Sequence, residues 1–192
     1  GGFARFVDHD TLAQRLAGAG YAVGLVGKYL NGFGEEDPTS PLPAGWTEFA
    51  GLHSGSDYFE WTFLQGEGGG IPYPLLGEDE YVTDAMTDMA LDFVDGHAQV
   101  PFFLLVTAKA PHSPAIPAEE DRESFSAFTW RGGAFGETDL SDKPAWMQDQ
   151  PPYDPNDHDA SIRDQLRSLQ AVDRMVGALV ERLDDHGILD QT

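Results

Sequence analysis

The sequence predicts an α/β fold, an incomplete piece of a larger sheet with helices on both faces. Three observations carry that expectation. Residues 21–26 and 102–107 form short, continuous apolar runs of the length of strands buried on both faces. Each follows a stretch with helical period and empties into a polar loop, the alternation expected of an α/β sheet. Two such strands are too few for a sheet of ordinary size, about five or six strands, so the chain reads as an internal excerpt.

The elements follow in order. Thr11-Leu12-Ala13-Gln14 has the form of a capping box, in which Thr bonds the third helical amide and Gln reaches back. Leu12, Ala13, Leu16 and Ala17 make an apolar stripe, and Gly20 is placed to end that helix. The first strand stops at Gly27-Lys28. From residue 30 to about 79 no helical period appears, as in a functional insertion. Within it, Phe59, Trp61 and Phe63 alternate with Tyr58, Glu60, Thr62 and Leu64, and the Gly-rich residues 66–70 would turn a small hairpin. Residues 80–95 predict a helix stopping at Gly96, and Pro101 introduces the second strand. Residues 115–158 read as an irregular surface excursion. A long helix over residues 159–186 carries Ile162, Leu166, Leu169, Val172, Val176, Leu179 and Leu183 on one side, with Gly187 closing it. Asp173 falls on that apolar side, which predicts a buried carboxylate with a partner such as Arg167.

Composition narrows the function classes. The 192 residues include 33 Asp and Glu against 11 Lys and Arg, a formal charge of −22. A nucleic-acid binder releasing counterions needs clustered cations, and an anionic membrane surface would repel this chain. No apolar run approaches the roughly 20 residues of a membrane span. With no cysteine, the chain has no disulfide, thiolate metal site or cysteine nucleophile. The acidity is uneven: residues 1–34 hold three basic and two acidic residues, which leaves that stretch suited to an anion.

Ligands of open α/β sheets bind beyond the carboxyl ends of strands, a rule that selects Gly27-Lys28-Tyr29-Leu30-Asn31 and Lys109-Ala110-Pro111-His112. Lys28 offers a compact charge for an oxyanion, and His112 could donate a proton to a leaving group. His53 and Asp57 flank a Ser-Gly-Ser turn, but no Gly-x-Ser-x-Gly elbow exists, which disfavours a serine hydrolase. His53 retains a possible substrate-facing role. Trp46, Tyr58, Trp61 and Tyr73 are candidates for sugar stacking or for core. The acidic run at residues 154–159 lacks the glycine and glutamate of a calcium loop and reads as a solvated loop, with Asp157 or Asp159 capping the last helix.

Several words in fixed order carry a family resemblance: Gly27-Lys28-Tyr29-Leu30-Asn31, Pro43-Ala44-Gly45-Trp46, Tyr81-Val82-Thr83-Asp84, and Ala110-Pro111-His112-Ser113-Pro114. Ser141-Asp142-Lys143-Pro144-Ala145-Trp146, Ser168-Leu169-Gln170-Ala171-Val172-Asp173 and Gly187-Ile188-Leu189-Asp190-Gln191-Thr192 complete the series. Together they resemble the sulfatase family of the alkaline-phosphatase-like superfamily, with the N-acetylglucosamine-6-sulfatase-like branch as the nearest pattern. The resemblance implies a sulfuric ester hydrolase that uses a formylglycine nucleophile beside Ca2+ and acts on a sulfated carbohydrate or other sulfate ester, plausibly a 6-sulfated N-acetylglucosamine of a glycosaminoglycan. It implies a secreted or periplasmic home. Lys28 matches the lysine that contacts the sulfate, and His112 the histidine at the ester oxygen. Asn31 stands in the substrate-side turn, where Leu30 replaces the histidine of many relatives.

The Cys/Ser-x-Pro-Ser-Arg nucleophile motif and the acidic metal pairs are absent from these residues. The expectation is therefore a partial sulfatase catalytic domain over residues 1–192, with the nucleophile segment upstream, the Asp-Asn metal segment downstream, no catalysis by this chain alone and poor calcium binding. The alternatives are a non-catalytic acidic interaction module on the same scaffold, or a phosphodiester or phosphonate hydrolase of the superfamily.

Overall fold

The computed structural model describes residues 2–35, 40–130, 132, 136–150 and 154–192. They form two compact units, residues 1–110 with 171–192, and residues 111–170. The first contains helix α1 (Leu12–Gly18), strands β1 (Ala22–Lys28), β2 (Glu48–Leu52), β3 (Trp61–Gly66) and β4 (Tyr73–Gly77), helix α2 (Val82–His97) and strand β5 (Phe102–Thr107). Helices α3 (Ala145–Gln148) and α4 (Pro155–Asp185) follow, and α4 gives its residues from Ala171 onward to the first unit.

The capping box forms as the sequence predicts. Gln14 N–H donates to Thr11 Oγ1 at 3.3 Å, and Thr11 N–H donates to Gln14 Oε1 at 3.0 Å. Gly20 follows the helix with φ +90°, a conformation costly for a side-chain-bearing residue. The next six residues, 22–27, are all buried. β1 earns that burial by lying inside the sheet, whose order is β4-β3-β2-β1-β5. It pairs in parallel with β2 (Lys28↔Leu52) and with β5 (Gly27↔Thr107). β3 runs antiparallel to both β2 and β4.

Because side chains alternate along a strand, β1 serves two cores. Val23 and Leu25 join Ala13 of α1, Phe33, Leu42, Trp46 and Phe49 on one face. Gly24 looks to the other, where a Cβ would lie 2.6 Å from the Phe93 ring of α2. Helices thus cover both faces of the sheet, as expected.

Several sequence expectations need correction. Strand β2 went unrecognised: its centre is Ala50-Gly51, weak strand formers, and Gly51 is required because the Phe33 and Phe49 rings occupy the space of a Cβ. The hairpin is real, but its first strand begins at Trp61. Helix α2 passes Gly96 to end at His97, whose Nδ1–H donates to the Phe93 carbonyl at 2.9 Å and whose ring stacks on Phe93. β5 is an edge strand and only half-buried, with Leu105 37% exposed.

Asp173 is exposed rather than buried, since the covered side of α4 turns through Ala171 and Met175 while Val176 faces outward. The helix also starts four residues earlier than the periodicity suggested. Its first turn is capped by Asp154, whose Oδ1 accepts from Asn156 N–H at 2.8 Å, in place of Asp157 or Asp159.

The far end of α4 belongs to the first unit. There Arg182 and His186 both bond Asp95 of α2, the latter at 2.8 Å. Gly187 closes the helix at φ +69°, and Ile188 N–H donates to the Leu183 carbonyl at 3.0 Å.

In the second unit, the early turns of α4 gather the irregular segment before it. Arg163 donates to the Phe128 carbonyl at 3.1 Å and Arg167 to the Ser124 carbonyl at 2.7 Å. Arg167 spends its remaining reach on Asp164 at 3.1 Å.

Candidate functional site

Parallel pairing sends β1, β2 and β5 out of the sheet at one edge, and Lys28, His53 and Lys109 follow from that edge. The two strand ends are tied directly: Thr107 Oγ1 donates to the Lys28 carbonyl at 2.7 Å. Gly27 makes the close approach possible. Its φ is +117°, and a Cβ there would meet the Thr107 carbonyl and the Met86 methyl. Lys28 itself is exposed, and no carboxylate among the described residues forms an ion pair with it.

Tyr29 turns inward. Its ring is ringed by Phe3, Phe6, Phe33, Trp46 and Phe49, each edge-on. Burial, and secondarily the charge of Asp8, pushes the phenol up to about 12. It stays protonated at neutral pH and is no base; it anchors the chain on which Lys28 stands.

The turn at residues 31–34 is fastened to the loop after β2. Gly32 N–H donates to Ser54 Oγ at 3.3 Å, and Ser54 N–H to the Phe33 carbonyl at 2.9 Å. His53 completes the join. Gly55 N–H donates to its Nδ1 at 3.1 Å, which leaves the ring proton on Nε2 to donate to the Gly34 carbonyl at 3.0 Å. Both nitrogens are committed, and Asp57 is no partner to them, since its Oδ1 accepts from Tyr58 N–H at 2.7 Å. Asn31 lies exposed in this turn and holds Phe3 through its carbonyl at 2.8 Å, with its side-chain amide open.

A cleft of about 590 Å³ adjoins the loop, lined by His53, Ser56, Phe59, Glu60 and Glu78 among others. Of the four candidate stacking rings, Trp46, Tyr58 and Trp61 are buried core and only Tyr73 is open.

Lys109 is the residue whose role sequence reasoning missed. Its Nζ donates to the Ser56 carbonyl at 2.8 Å and lies 5.4 Å from the centre of the Tyr58 ring. Burial lowers its pKa from the ordinary lysine value; the nearby Asp57 charge opposes that and the Lys28 charge adds to it. The strand-end rule points to its segment, but its partners lie 53 and 51 positions earlier and leave no local signal.

His112 belongs to the second unit, five residues after β5. It is exposed, and its Nδ1–H donates to the Ser113 carbonyl at 2.8 Å, which directs Nε2 elsewhere.

A family profile described as Sulfatase matches residues 5–192. The chain belongs to the sulfatase family. This sulfatase chain is 29% identical over 180 residues to the N-acetylglucosamine-6-sulfatase of Homo sapiens, a match covering 90% of this chain and 32% of that protein. It is 27% identical over 194 residues to the extracellular sulfatase SULF-1 homolog of Drosophila melanogaster, covering 96% and 17%. The chain thus spans about a third or less of the curated relatives' length. The solved structure of BT4656 in complex with its substrate D-glucosamine-2-N,6-O-disulfate shares the fold, with a TM-score of 0.69 at 20% identity over 95% of this chain and 48% of that one.

Sulfatases imply a calcium ion. Among the described residues no group of three or more His, Cys, Asp or Glu side chains could hold a metal, so these residues by themselves do not fit such a site. No helix among the described residues is long and apolar enough to cross a membrane.

Proposed function

We propose that this chain is the sulfate-gripping part of a sulfuric ester hydrolase that cleaves a sulfate monoester of a 6-sulfated N-acetylglucosamine. The observation that carries this reading is Lys28, at the end of the buried strand β1 and without an ion pair among the described residues, in a chain of formal charge −22. A cation held there against so much negative charge suits an oxyanion substrate.

In the reaction, Lys28 neutralises the non-bridging sulfate oxygens as charge shifts within the transition state. His112 gives a ring proton to the departing sugar alkoxide while the S–O bond breaks. Asn31 supplies a hydrogen bond from its open amide. His53, with both nitrogens occupied, works as a positioning residue that holds the residue 31–34 turn. The cleft beside it accepts the sugar, whose hydroxyls donate to Glu60 and Glu78. The nucleophile is not among these 192 residues, so the chain alone turns over no ester. Secretion is proposed from the extracellular relative, and calcium belongs to the longer enzyme.

The test is hydrolysis by the longer protein of N-acetylglucosamine-6-sulfate and of a matched phosphodiester, beside the 192-residue chain. Sulfate-ester turnover by the longer protein alone is expected. Preference for the phosphodiester, or turnover by the isolated chain, would overturn the reading.

A further inference from the structure

We propose that Lys109 is a second cation of the oxyanion site, paired with Lys28 at the shared rim of β1 and β5 so that the two hold one tetrahedral oxyanion. The inference rests on the reading of Lys28 as a sulfate ligand and adds a residue to it.

Four observations converge. The lysines leave neighbouring parallel strands whose ends are latched by the Thr107-to-Lys28 hydrogen bond, so their backbones share one rim. Lys109 is held in place: its ammonium lies 5.4 Å from the centre of the fully buried Tyr58 ring, and one ammonium hydrogen is given to the Ser56 carbonyl. That carbonyl belongs to a rigid loop, because Ser56 Oγ donates to the Thr62 carbonyl at 3.2 Å and accepts from Thr62 N–H at 3.0 Å. An ammonium has three donors, so two remain for a ligand.

Finally, neither lysine forms an ion pair among the described residues, although the chain carries three acidic residues for every basic one. Asp57 lies near Lys109 but turns its Oδ1 to the Tyr58 amide. Two like charges on one rim, one of them partly desolvated and with only the Asp57 charge to offset it, are an arrangement that a bound oxyanion relieves further.

The probe is inorganic sulfate, titrated calorimetrically into the full 192-residue chain at low ionic strength. Lys109→Met keeps an unbranched side chain and removes the charge; it should weaken sulfate binding about tenfold or more. Lys109→Arg should recover most of the loss and carry binding to higher pH than the parent, because guanidinium does not deprotonate there. Lys28→Met is the comparison. Parent-like affinity in Lys109→Met with weakened Lys28→Met removes Lys109 and leaves Lys28 standing. Parent-like affinity in both, or no sulfate binding by the parent, removes both readings. If Lys109→Met does not fold, the 15N signal of the Lys109 ammonium in the parent decides: movement on sulfate addition supports the pair, and an unmoved signal overturns it.

Discussion

Replacing Gly27 by alanine tests how tightly the site's two strands are drawn together. The added methyl would lie 2.6 Å from the Met86 terminal methyl and also against the Thr107 carbonyl. Met86 can swing its terminal methyl aside, but the Thr107 carbonyl is backbone, and its residue is latched to Lys28. The β1–β5 ladder must open. A φ of +117° adds strain for any residue with a side chain. Strain and overpacking each contribute about 1–3 kcal/mol of destabilisation, offset by about 0.4–1 kcal/mol from the stiffer unfolded chain. A net loss of about 3 kcal/mol is expected, a large fraction of the roughly 5–15 kcal/mol that holds a typical domain. Urea unfolding followed by circular dichroism reads it directly. Gly18→Ala is the control: it sits at the end of α1 with nothing within 4 Å of the new methyl, and should stabilise by up to about 1 kcal/mol. A Gly27→Ala protein within about 0.5 kcal/mol of the parent would refute the close approach of the two strands.

Two further outcomes follow from the structure. Thr11→Ala removes the capping hydrogen bond of α1 and should cost about 1 kcal/mol, read as a lower urea midpoint; an unchanged midpoint would show that the cap contributes nothing. The Asp95 carboxyl is held below its usual value chiefly by the His186 hydrogen bond, with Arg182 assisting, so its stabilisation is present above the unfolded-state value of 3.8 and is lost as pH falls through the lower folded-state value. Asp95→Asn should therefore be less stable than the parent at pH ~6 and approach it in urea midpoint as pH falls below 3.8 through the lowered folded-state value; a constant gap would contradict the linkage.

Much of this arrangement was legible from local chemistry. Thr11 and Gln14 spell a cap within four residues, and Gly20 and Gly187 mark helix ends by their left-handed backbone. The unbroken apolar run before Lys28 identified a strand with neighbours on both sides, and the strand-end rule then placed Lys28 at the rim. What escaped depends on distant partners. β2 is a strand because Phe33 and Phe49 close over Gly51, and Asp173 faces solvent because the helix turns about Ala171 and Met175. His53 looked like a substrate contact until Gly34 and Gly55 were seen to take both its nitrogens. Lys109 acquires meaning only through Ser56 and Tyr58.

The central claim is that Lys28 and His112 act on the sulfate ester. Its most direct measurement is kcat/KM for N-acetylglucosamine-6-sulfate in the longer enzyme carrying Lys28→Ala or His112→Ala, with folding checked by thermal midpoint. Loss of charge stabilisation at one and of leaving-group protonation at the other predicts a fall of about 100-fold or more in each. Parent-like turnover in both folded variants would contradict the account.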